Sequence, residues 1–504
     1  MSAIRLQEAI QAMGGYLLDG RAEEGHDRLL TGVSCDSRQI GQGQLFIALR
    51  GERFDGHDFL AAAQAAGAAA AVIDGHAVQK VDVPGLPLIV VADTRQALGL
   101  LAGWRRSRFS LPLIAVTGSN GKTTTKEMIA SILRAAFGDA VLATQGNFNN
   151  DIGLPLTLLR LEARHRAAVV EIGMNRPGEI IALARLARPT VAIVTNAQRA
   201  HLSGMGSLEN VAAEKGSLFG ELDESGVAVI NADDPWAERW RAQAAGRRIV
   251  DFAFESPASV RGRYARHGLE SRLYLSTPAG EAEVVLAAPG IHNAHNALGA
   301  AAAAWAAGLG LDAICAGLEA FAGVKGRLQR LAGPNGALLL DDTYNANPDS
   351  VRAGIDVLAA IPGRRILVLG DMGEIGDMSG QYHDEVGGYA KSQGIDRLLA
   401  LGETSLLAVR NFGAGGEHFR RLESLVAALR QEMQPGTTVL VKGSHFMHME
   451  RVIEALLTKP QENTGTPPKD APKKPAGCAE QAERAERTEQ AEQPAKPQLT
   501  GEKA

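Results

Sequence analysis

Along most of the chain, short apolar runs alternate with stretches in which apolar residues recur three or four positions apart. Continuous apolar runs are typical of strands buried on both faces of a parallel sheet, and the second spacing is typical of helices that cover such a sheet. The alternation predicts an α/β fold in three domains. These are a small N-terminal α/β domain over residues 1–108, a central parallel-sheet domain over residues 109–327, and a C-terminal Rossmann-like domain over residues 328–458.

The same pattern predicts the individual elements. In the N-terminal domain it predicts strands at residues 44–49, 69–73 and 88–92, and helices at residues 60–66 and 94–106. In the central domain it predicts strands at residues 113–116, 140–143, 167–171, 191–195, 228–231 and 248–252, a β-rich stretch at 260–286 and one Ala-rich helix at 290–307. In the C-terminal domain it predicts strands at residues 337–341, 365–369, 397–401 and 438–442, and helices at residues 350–360, 382–393, 422–432 and 445–457.

The last stretch, residues 459–504, changes sharply in composition. It is rich in Pro, Glu, Gln, Lys and Ala, and Leu499 is its only large aliphatic residue. Such a segment cannot bury enough apolar area to offset the entropy lost on ordering, so we predict a disordered tail.

Composition narrows the class of protein. The 504-residue chain has a net charge of −5 and 45% apolar residues, so it can bury several cores and gives no reason to expect nucleic-acid binding. Cys35, Cys315 and Cys478 lack C-x-x-C spacing, which favours reduced thiols. No N-terminal segment has the pattern of a signal peptide, and the Ala-rich runs do not suit a bilayer span. We expect a cytoplasmic protein without membrane insertion.

The most informative stretch is residues 117–125, Thr-Gly-Ser-Asn-Gly-Lys-Thr-Thr-Thr, between a predicted strand and a helix-type pattern. Glycines let backbone N–H groups face an anion, the helix N-terminus adds its dipole, lysine adds positive charge, and a threonine hydroxyl can hold Mg²⁺. The spacing is G-x-x-G-K-T, tighter than G-x-x-x-x-G-K-T, because Val116 stands where the first glycine would be. The order strand, loop, helix predicts a phosphate-binding loop and a central ATPase domain of the P-loop type.

Further polar residues lie where parallel strands are predicted to end, which is where open α/β sheets place their sites. Glu171 ends an apolar strand and suits Mg²⁺, although a solvent-facing carboxylate is the alternative. His201 and Lys215 flank a helical stretch, and each alone can be an ordinary hydrogen-bonded or solvated side chain. Asn149 lies in an Asn-rich loop, residues 146–151, that can equally be a plain turn.

Polar residues in other parts of the chain also allow more than one interpretation. Asn293 and Asn296 open a helix at i and i+3 and can pair with an adenine edge, with helix capping as the alternative for Asn293. Arg327 can reach a phosphate and Asp342 can take ribose hydroxyls, or both can form surface ion pairs. Near the N-terminus, residues 36–38, Asp-Ser-Arg, can bind an anion, but a turn with an Asp-Arg surface pair is the better interpretation from spacing alone.

Taken in order, these segments resemble the Mur ligase family of ATP-dependent amide-forming enzymes over almost the whole chain except the tail. The resemblance is carried by residues 36–38, 51–59, 117–125, 146–157, 171–175, 201–219, 290–296, 341–348, 369–376 and 442–444. The segment 341–348 includes the string Tyr-Asn-Ala-Asn. One departure is His445, which follows Lys-Gly-Ser where the family commonly shows an arginine.

The resemblance implies a role for each matched residue. The implied nucleotide-binding residues are Gly118, Ser119, Asn120, Gly121, Lys122, Thr123 and Thr124 at the phosphates, Asn293 and Asn296 at adenine, Asp342 at the ribose and Arg327 at a phosphate. Two Mg²⁺ ions are implied, with Thr123, Glu171, His201 and a carbamylated Lys215 as their ligands. Lys122, His201 and Lys215 are the implied catalytic residues. The implied substrate residues are Ser37, Arg38, Asp55, Gly56, His57, Asn149, Tyr344, Asn345 and Asn347.

The resemblance also implies the chemistry. The terminal carboxylate of a UDP-N-acetylmuramoyl-tripeptide attacks the γ-phosphate of ATP, and the amine of D-alanyl-D-alanine then attacks the acyl phosphate, in the cytoplasmic steps of peptidoglycan precursor synthesis. A monomer is expected. Alternatives are a Mur-type ligase for another amino acid, a ligase like folylpolyglutamate synthetase, and an inactive nucleotide-binding module. The last domain lacks the Asp-Asn-Pro-Arg string of the ligase that adds the third peptide residue, and Lys122, Glu171, His201 and Lys215 argue against an inactive module.

Overall fold

The computed structural model describes residues 3–18, 28–267 and 270–458. The described residues form two compact units, one within residues 4–94 and the other within residues 95–458. The tail predicted to be disordered, residues 459–504, lies outside the described residues, as does Cys478. None of the helices in the described part of the chain is long and apolar enough to cross a membrane.

The smaller unit is built on a five-stranded sheet with three parallel pairings and one antiparallel edge strand. Its strands, in spatial order, are Tyr16–Leu17, Leu88–Val91, Ala70–Asp74, Leu45–Ile47 and Val33–Ser34. Ile4–Arg5 and Leu29–Leu30 form a separate two-stranded ribbon. The helices are Leu6–Met13 and Leu60–Ala65, with a 3₁₀ turn at Gly56–Phe59.

A nine-stranded sheet forms the centre of the larger unit. Strand Leu113–Thr117 lies inside it, between Val191–Val194 and Ala167–Glu171. Pairing is parallel from one edge as far as strand Val260–His267, and the last two strands add an antiparallel ribbon. The full spatial order is Val141–Ala143, Ala167–Glu171, Leu113–Thr117, Val191–Val194, Val227–Asn231, Arg248–Ala253, Val260–His267, Glu270–Thr277 and Gly280–Leu286.

Helices cover this sheet, so its inner strands are buried at every position, as a parallel sheet covered on both faces requires. The predicted Ala-rich helix is confirmed as Ile291–Ala306. A Cβ on its Gly299 would lie 3.1 Å from a ring carbon of Phe252, so the small side chains let this helix approach the sheet closely. The other helices here are Thr94–Ser107, Lys122–Phe137, Gly153–Leu159, Glu179–Ala187, Leu202–Met205, Leu208–Gly220, Ala237–Gln243 and Leu311–Glu319.

The C-terminal part of the larger unit has a six-stranded sheet. Its spatial order is Gln329–Ala332, Leu338–Asp342, Thr437–Lys442, Arg364–Gly370, Arg397–Leu401 and Gly416–Phe419, parallel except for the first pair. Its helices are Pro348–Ala359, Ser379–Ser392, Leu406–Phe412, Leu422–Glu432 and Glu450–Leu457. Short 3₁₀ turns occur at Pro334–Gly336, Gly376–Met378 and His445–Met447. Helices between parallel strands agree with the predicted Rossmann-like alternation.

In the C-terminal sheet region, the structure corrects the prediction in three places. Strands Gln329–Ala332 and Gly416–Phe419 were missed, because edge strands with half-exposed polar residues do not give a continuous apolar run. The helix Leu406–Phe412, which precedes strand Gly416–Phe419, was missed as well. The single helix predicted over 445–457 is wrong: His448 has a left-handed φ of +51° and separates the 3₁₀ turn from the helix. The other predicted elements are confirmed with small shifts at their ends.

Candidate active site

Two glycines shape the phosphate loop, residues 118–123. Gly118 and Gly121 have φ values of +150° and +81°, and neither has room for a side chain. A Cβ on Gly118 would lie 1.8 Å from Thr195 Oγ1, and a Cβ on Gly121 would lie 2.1 Å from Asn296 Oδ1. Left-handed backbone and close approach together make glycine necessary at Gly121.

Lys122 opens the helix Lys122–Phe137 and turns back over the loop. Its Nζ donates to the carbonyl of Gly118 at 2.8 Å and is 3.3 Å from the carbonyl of Ser119. A positive charge thus lies beside backbone N–H groups at a helix N-terminus, which is an arrangement that binds anions. Thr124, in the first turn of this helix, is buried.

A second loop, residues 195–201, follows the neighbouring strand, and we call it the bridging loop. Asn196 Oδ1 accepts from the backbone N–H of Asn120 at 2.9 Å, and Asn196 Nδ2 donates to the Asn120 carbonyl at 3.0 Å. The backbone N–H of Gln198 donates to Ser119 Oγ at 2.9 Å. The bridging loop therefore fixes the conformation of the phosphate loop.

Glu171 is the last residue of its strand and is only 2% exposed, so the solvent-facing interpretation is wrong. Its Oε1 accepts from Asn149 Nδ2 at 2.8 Å, and the Asn149 carbonyl accepts from the N–H of Gly173 at 2.9 Å. Within the described residues its Oε2 is buried without a hydrogen-bond partner. A buried carboxylate oxygen left in this way is costly unless a cation binds it, and Mg²⁺ prefers such oxygens.

Lys215 lies on the helix Leu208–Gly220 with a fully buried side chain, so it is not a solvated lysine. Its Nζ is buried and has no hydrogen-bond partner in the part of the chain that the structure describes. Burial lowers the pKa of Lys215 well below its usual value, the charge of Lys122 lowers it further, and Glu214 opposes the shift. A lowered pKa favours the deprotonated amine, which is the nucleophile that addition to CO₂ requires.

His201 has a left-handed backbone, with φ of +56°, at the end of the bridging loop. Its Nδ1 lies 3.1 Å from Glu374 Oε2 of the C-terminal sheet region. Burial lowers the pKa of His201, Glu374 opposes this, and the charges of Lys215 and Lys122 add to it. A neutral imidazole can act as a metal ligand. Because Lys122 shifts the pKa of both His201 and Lys215, these groups lie within electrostatic range of one another.

Arg327 contacts the phosphate loop directly. Its NH2 donates to Thr123 Oγ1 at 3.2 Å, and its guanidinium carbon lies 4.0 Å from the centre of the Tyr344 ring. Among the described residues, its buried Nε has no hydrogen-bond partner. The arginine therefore presents a positive charge beside the loop, where a phosphate contact is possible.

Asp342 is in a buried ion pair, not the surface pair that was the alternative. Its Oδ2 accepts from Lys442 Nζ at 2.7 Å, and its Oδ1 accepts from the N–H of Leu328 at 3.2 Å. Lys442 Nζ also donates to the carbonyl of Asn345 at 2.8 Å. The ribose role of Asp342 stays a prediction.

The two asparagines of the Ala-rich helix are buried. Asn293 Nδ2 donates to the Pro289 carbonyl at 2.8 Å, and Asn296 Nδ2 donates to Asn293 Oδ1 at 3.3 Å. Gly290 is the N-cap residue, so the capping interpretation of Asn293 is wrong. Asn296 packs against Gly121, close to the phosphates' expected position. Their contact with adenine stays a prediction.

In the smaller unit, the pair of Asp36 and Arg38 is confirmed. Arg38 Nε and NH2 lie 3.0 and 3.1 Å from the two carboxylate oxygens of Asp36, and the N–H of Arg38 also donates to this buried aspartate. The carboxylate thus holds the turn, and the substrate roles of Ser37 and Arg38 stay predictions.

The loop around Gly56 is held by its own polar groups. His57 has a 4% exposed side chain, its Nδ1 contacts Asp55, and its Nε2 accepts from the N–H of Asp74 at 3.2 Å. A Cβ on Gly56 would lie 2.7 Å from the backbone nitrogen of Leu49. Both ring nitrogens of His57 are therefore engaged inside the unit, and substrate contacts of Asp55, Gly56 and His57 stay predictions.

Several residues that hold the site together were missed from the sequence. Arg199 pairs with Asp349 and Glu385, 150 or more positions away, and Glu374 pairs with His201. For Asn347 and Asn120, both assigned to the site from the sequence, it is their contact that was missed: Asn347 Nδ2 donates to Asn120 Oδ1 at 2.8 Å, across the two sheet regions of the larger unit. No periodicity or motif indicates pairings at such separations.

Three family models match the chain, one in each sheet region. Residues 29–106 match the Mur ligase family, catalytic domain; residues 116–304 match the Mur ligase middle domain; and residues 326–445 match the Mur ligase, glutamate ligase domain. The chain belongs to the Mur ligase family. The predicted boundaries at 108, 327 and 458 stay predictions.

Relatives within the Mur ligase family cover nearly the whole chain. A protein of Escherichia coli (strain K12) named UDP-N-acetylmuramoyl-tripeptide–D-alanyl-D-alanine ligase is 42% identical over 472 residues, which covers 92% of this chain and 99% of that protein. A Bacillus subtilis (strain 168) protein of the same name is 33% identical over 450 residues, covering 86% and 94%.

Solved structures of MurF ligases are also similar to this chain. MurF from Acinetobacter baumannii has a TM-score of 0.83 at 35% identity, over 90% of this chain and 99% of that one. MurF ligase from Thermotoga maritima in complex with ADP has a TM-score of 0.74 at 26% identity, over 84% and 96%. The predicted three-domain α/β class is thereby confirmed. A folylpolyglutamate synthase from Mycobacterium tuberculosis, at 19% identity and a TM-score of 0.60, shares the fold alone.

Proposed function

We propose that this Mur ligase is an ATP-dependent ligase that joins D-alanyl-D-alanine to the terminal carboxylate of a UDP-N-acetylmuramoyl-tripeptide, forming ADP and phosphate. The observation that carries the proposal is the match, over 92% of the chain, to the relative of that name. The site supports it, because one unit contains a phosphate loop, a buried carboxylate oxygen without a hydrogen-bond partner and a buried lysine whose pKa is lowered by burial. The reaction belongs to peptidoglycan precursor synthesis, and we place it in the cytoplasm.

ATP would bind at the phosphate loop. The backbone N–H groups of residues 118–123 and the ammonium of Lys122 would hold the β- and γ-phosphates, and Arg327 would add a second positive charge. The contact of Arg327 with Thr123 supports this assignment. Asn293, Asn296 and Asp342 are the proposed groups for adenine and ribose.

The residues present fit Mg²⁺ and a lysine carbamate. In the described part of the chain no cluster of three or more His, Cys, Asp or Glu side chains could hold a metal alone. Of the two ions proposed, one would therefore use Thr123 and Glu171 and the second would use His201, together with a carbamate on Lys215 and phosphate oxygens. When bound, Mg²⁺ neutralises phosphate charge and polarises the transferring phosphoryl group.

The reaction proceeds in two balanced steps. A carboxylate oxygen of the tripeptide attacks the γ-phosphorus, the bond to the ADP oxygen breaks, and an acyl phosphate forms. The dipeptide amine attacks the acyl carbon, an amide forms, and phosphate leaves with the former carboxylate oxygen as the amine loses a proton. Lys122 and the loop amides stabilise the transferring charge, since they are aimed at it before the reaction begins.

The remaining substrate residues are assigned by position in the family strings. Ser37, Arg38, Asp55, Gly56 and His57 would serve the uridine diphosphate end of the substrate. Asn149, Tyr344, Asn345 and Asn347 would serve the peptide parts. A monomer is proposed, as the sequence predicts.

Phosphate release from ATP tests the proposal. Purified protein, ATP and Mg²⁺ should release phosphate only when both the UDP-tripeptide and D-alanyl-D-alanine are present, and mass spectrometry should find the UDP-pentapeptide. Lysine- and diaminopimelate-containing tripeptides are run in parallel to define the third residue. Product with another amino acid in place of the dipeptide, and none with the dipeptide, would overturn the assignment.

A further inference from the structure

Arg199, in the bridging loop, contacts the C-terminal sheet region with all three nitrogens of its guanidinium group. Its Nε and NH2 lie 3.1 and 2.6 Å from Asp349 Oδ1, and its backbone N–H donates to Asp349 Oδ2 at 3.0 Å. Asp349 is in the first turn of the helix Pro348–Ala359. A forked, charge-assisted contact of this kind fixes orientation as well as distance.

The same guanidinium binds a carboxylate on a second helix. NH1 of Arg199 lies 3.0 Å from Glu385 Oε2, on the helix Ser379–Ser392, and Glu385 also accepts from Arg352 at 2.9 Å. The side chains of Arg199, Asp349 and Glu385 are only 22%, 24% and 30% exposed. Asp349 and Glu385 raise the pKa of Arg199, so it stays charged. One cation therefore holds two helices of the C-terminal region at once.

A second contact holds the start of the helix Pro348–Ala359. Asn347, the N-cap of the helix Pro348–Ala359, accepts from the N–H of Ser350 at 2.9 Å and exchanges side-chain hydrogen bonds with Asn120 at 2.8 and 3.3 Å. Asn120 belongs to the phosphate loop, which the bridging loop also holds. The start of one C-terminal helix is thus tied both to the phosphate loop and, through Arg199, to its support.

We propose that Arg199 is a positioning residue for ligation, which docks the helices Pro348–Ala359 and Ser379–Ser392, through Asp349 and Glu385, on the bridging loop that supports the phosphate loop. The inference rests on the proposed function, and it adds a residue outside the implied nucleotide-binding residues and metal ligands. Docking keeps Asn347 and Tyr344 aligned with the nucleotide phosphates during both steps. A reaction with two steps at one phosphoryl group depends strongly on such alignment.

The test compares variants of the full-length chain. In R199Q the charge and the outer part of the guanidinium are both lost, and kcat should fall by about 10- to 100-fold, as for small misplacements of reacting groups. D349N should fall similarly, and R199Q with D349N should be no worse than the poorer single variant, because both remove one contact. R199K, which keeps the charge but not the fork, should lie between R199Q and the wild type.

The matched control is R185Q. Arg185 pairs with Glu221 at 3.0 and 3.3 Å, but both belong to the central sheet region and Arg185 is largely exposed. R185Q should keep wild-type kcat and KM. If R199Q lowers activity only in proportion to a lower unfolding midpoint, or if the R199Q and D349N effects add, the positioning role is wrong.

A readout without turnover separates this inference from the function. Hydrogen–deuterium exchange should accelerate in R199Q at the amides of residues 199 and 350–352, while residues 227–231 keep wild-type protection. E385Q, which retains the Asp349 contact, should give a smaller change. Unchanged exchange in R199Q refutes the docking. Faster exchange in R199Q combined with an inactive wild type keeps the docking and refutes the proposed ligase.

Discussion

Lys215 combines complete burial with an amine that has no hydrogen-bond partner among the described residues, so replacing it should separate stability from activity. Lys215→Met removes the amine and keeps an unbranched, apolar side chain that is one atom shorter. A buried polar group without a partner costs about 1–3 kcal/mol. A swap of similar shape in a packed site costs under about 1.5 kcal/mol, so we expect K215M to be more stable by about 1–2 kcal/mol.

Activity should change in the opposite direction. Removing one group that organises charge at a reacting centre typically lowers kcat by about 100- to 1,000-fold, and we expect at least this loss in K215M. Bicarbonate gives a second contrast. A carbamate that forms only in the folded chain should raise the unfolding midpoint of the wild type and not that of K215M.

Urea unfolding followed by tryptophan fluorescence provides the assay. All four tryptophans lie in the larger unit, and Trp240 Nε1 donates to the carbonyl of Ala212 on the Lys215 helix at 3.0 Å. The wild type and K215M are compared in CO₂-free buffer, with and without added bicarbonate. A K215M variant that is active refutes the catalytic role. A K215M variant that is both less stable and inactive refutes the interpretation that the buried Lys215 amine lacks a hydrogen-bond partner.

Three other positions each give a test with a single substitution. Burial raises the pKa of Asp234 to about 6 from 3.8, so the folded chain binds a proton that the unfolded chain has lost, and stability falls as pH rises through this window. Against D234N, the wild-type unfolding free energy should fall by about 2 kcal/mol between pH 4 and 6, because the limiting slope of about 1.4 kcal/mol per pH unit lessens near either pKa; parallel urea curves contradict this. Arg106 donates to two carbonyls that end a helix, and R106M should lower the unfolding free energy by about 3 kcal/mol; an unchanged midpoint refutes the capping. Gly121→Ala would drive a Cβ into Asn296, and ATP affinity measured by calorimetry should fall at least about tenfold. Gly138→Ala, at positive φ but in open space, is the control and should keep ATP affinity.

The sequence predicted the elements whose residues are buried on both sides. Ala167–Glu171 reads as an unbroken apolar run because both of its faces are covered, and its end was placed correctly. Edge strands Gln329–Ala332 and Gly416–Phe419 are half-exposed, so their residues carry no such run. The helix break at His448 depends on a left-handed backbone conformation, which the residue type does not predict.

The chemistry of the site was predictable where it follows a strand or a motif. Lys122 and Glu171 belong to such positions. Two other features depend on tertiary neighbours and could not be predicted. Glu171 has one carboxylate oxygen without a hydrogen-bond partner among the described residues, and Asn296 packs against Gly121. The partner of Arg199 is 150 positions away, and no local pattern relates the two.

The central claim is that the tripeptide carboxylate is activated as an acyl phosphate, and isotope transfer tests it most directly. The terminal carboxylate of the UDP-tripeptide is labelled with a heavy oxygen isotope, and the phosphate released on ligation is analysed by mass spectrometry. Attack of the carboxylate on the γ-phosphorus should leave one labelled oxygen in each phosphate, with release dependent on D-alanyl-D-alanine. Unlabelled phosphate released together with the ligated product would contradict it.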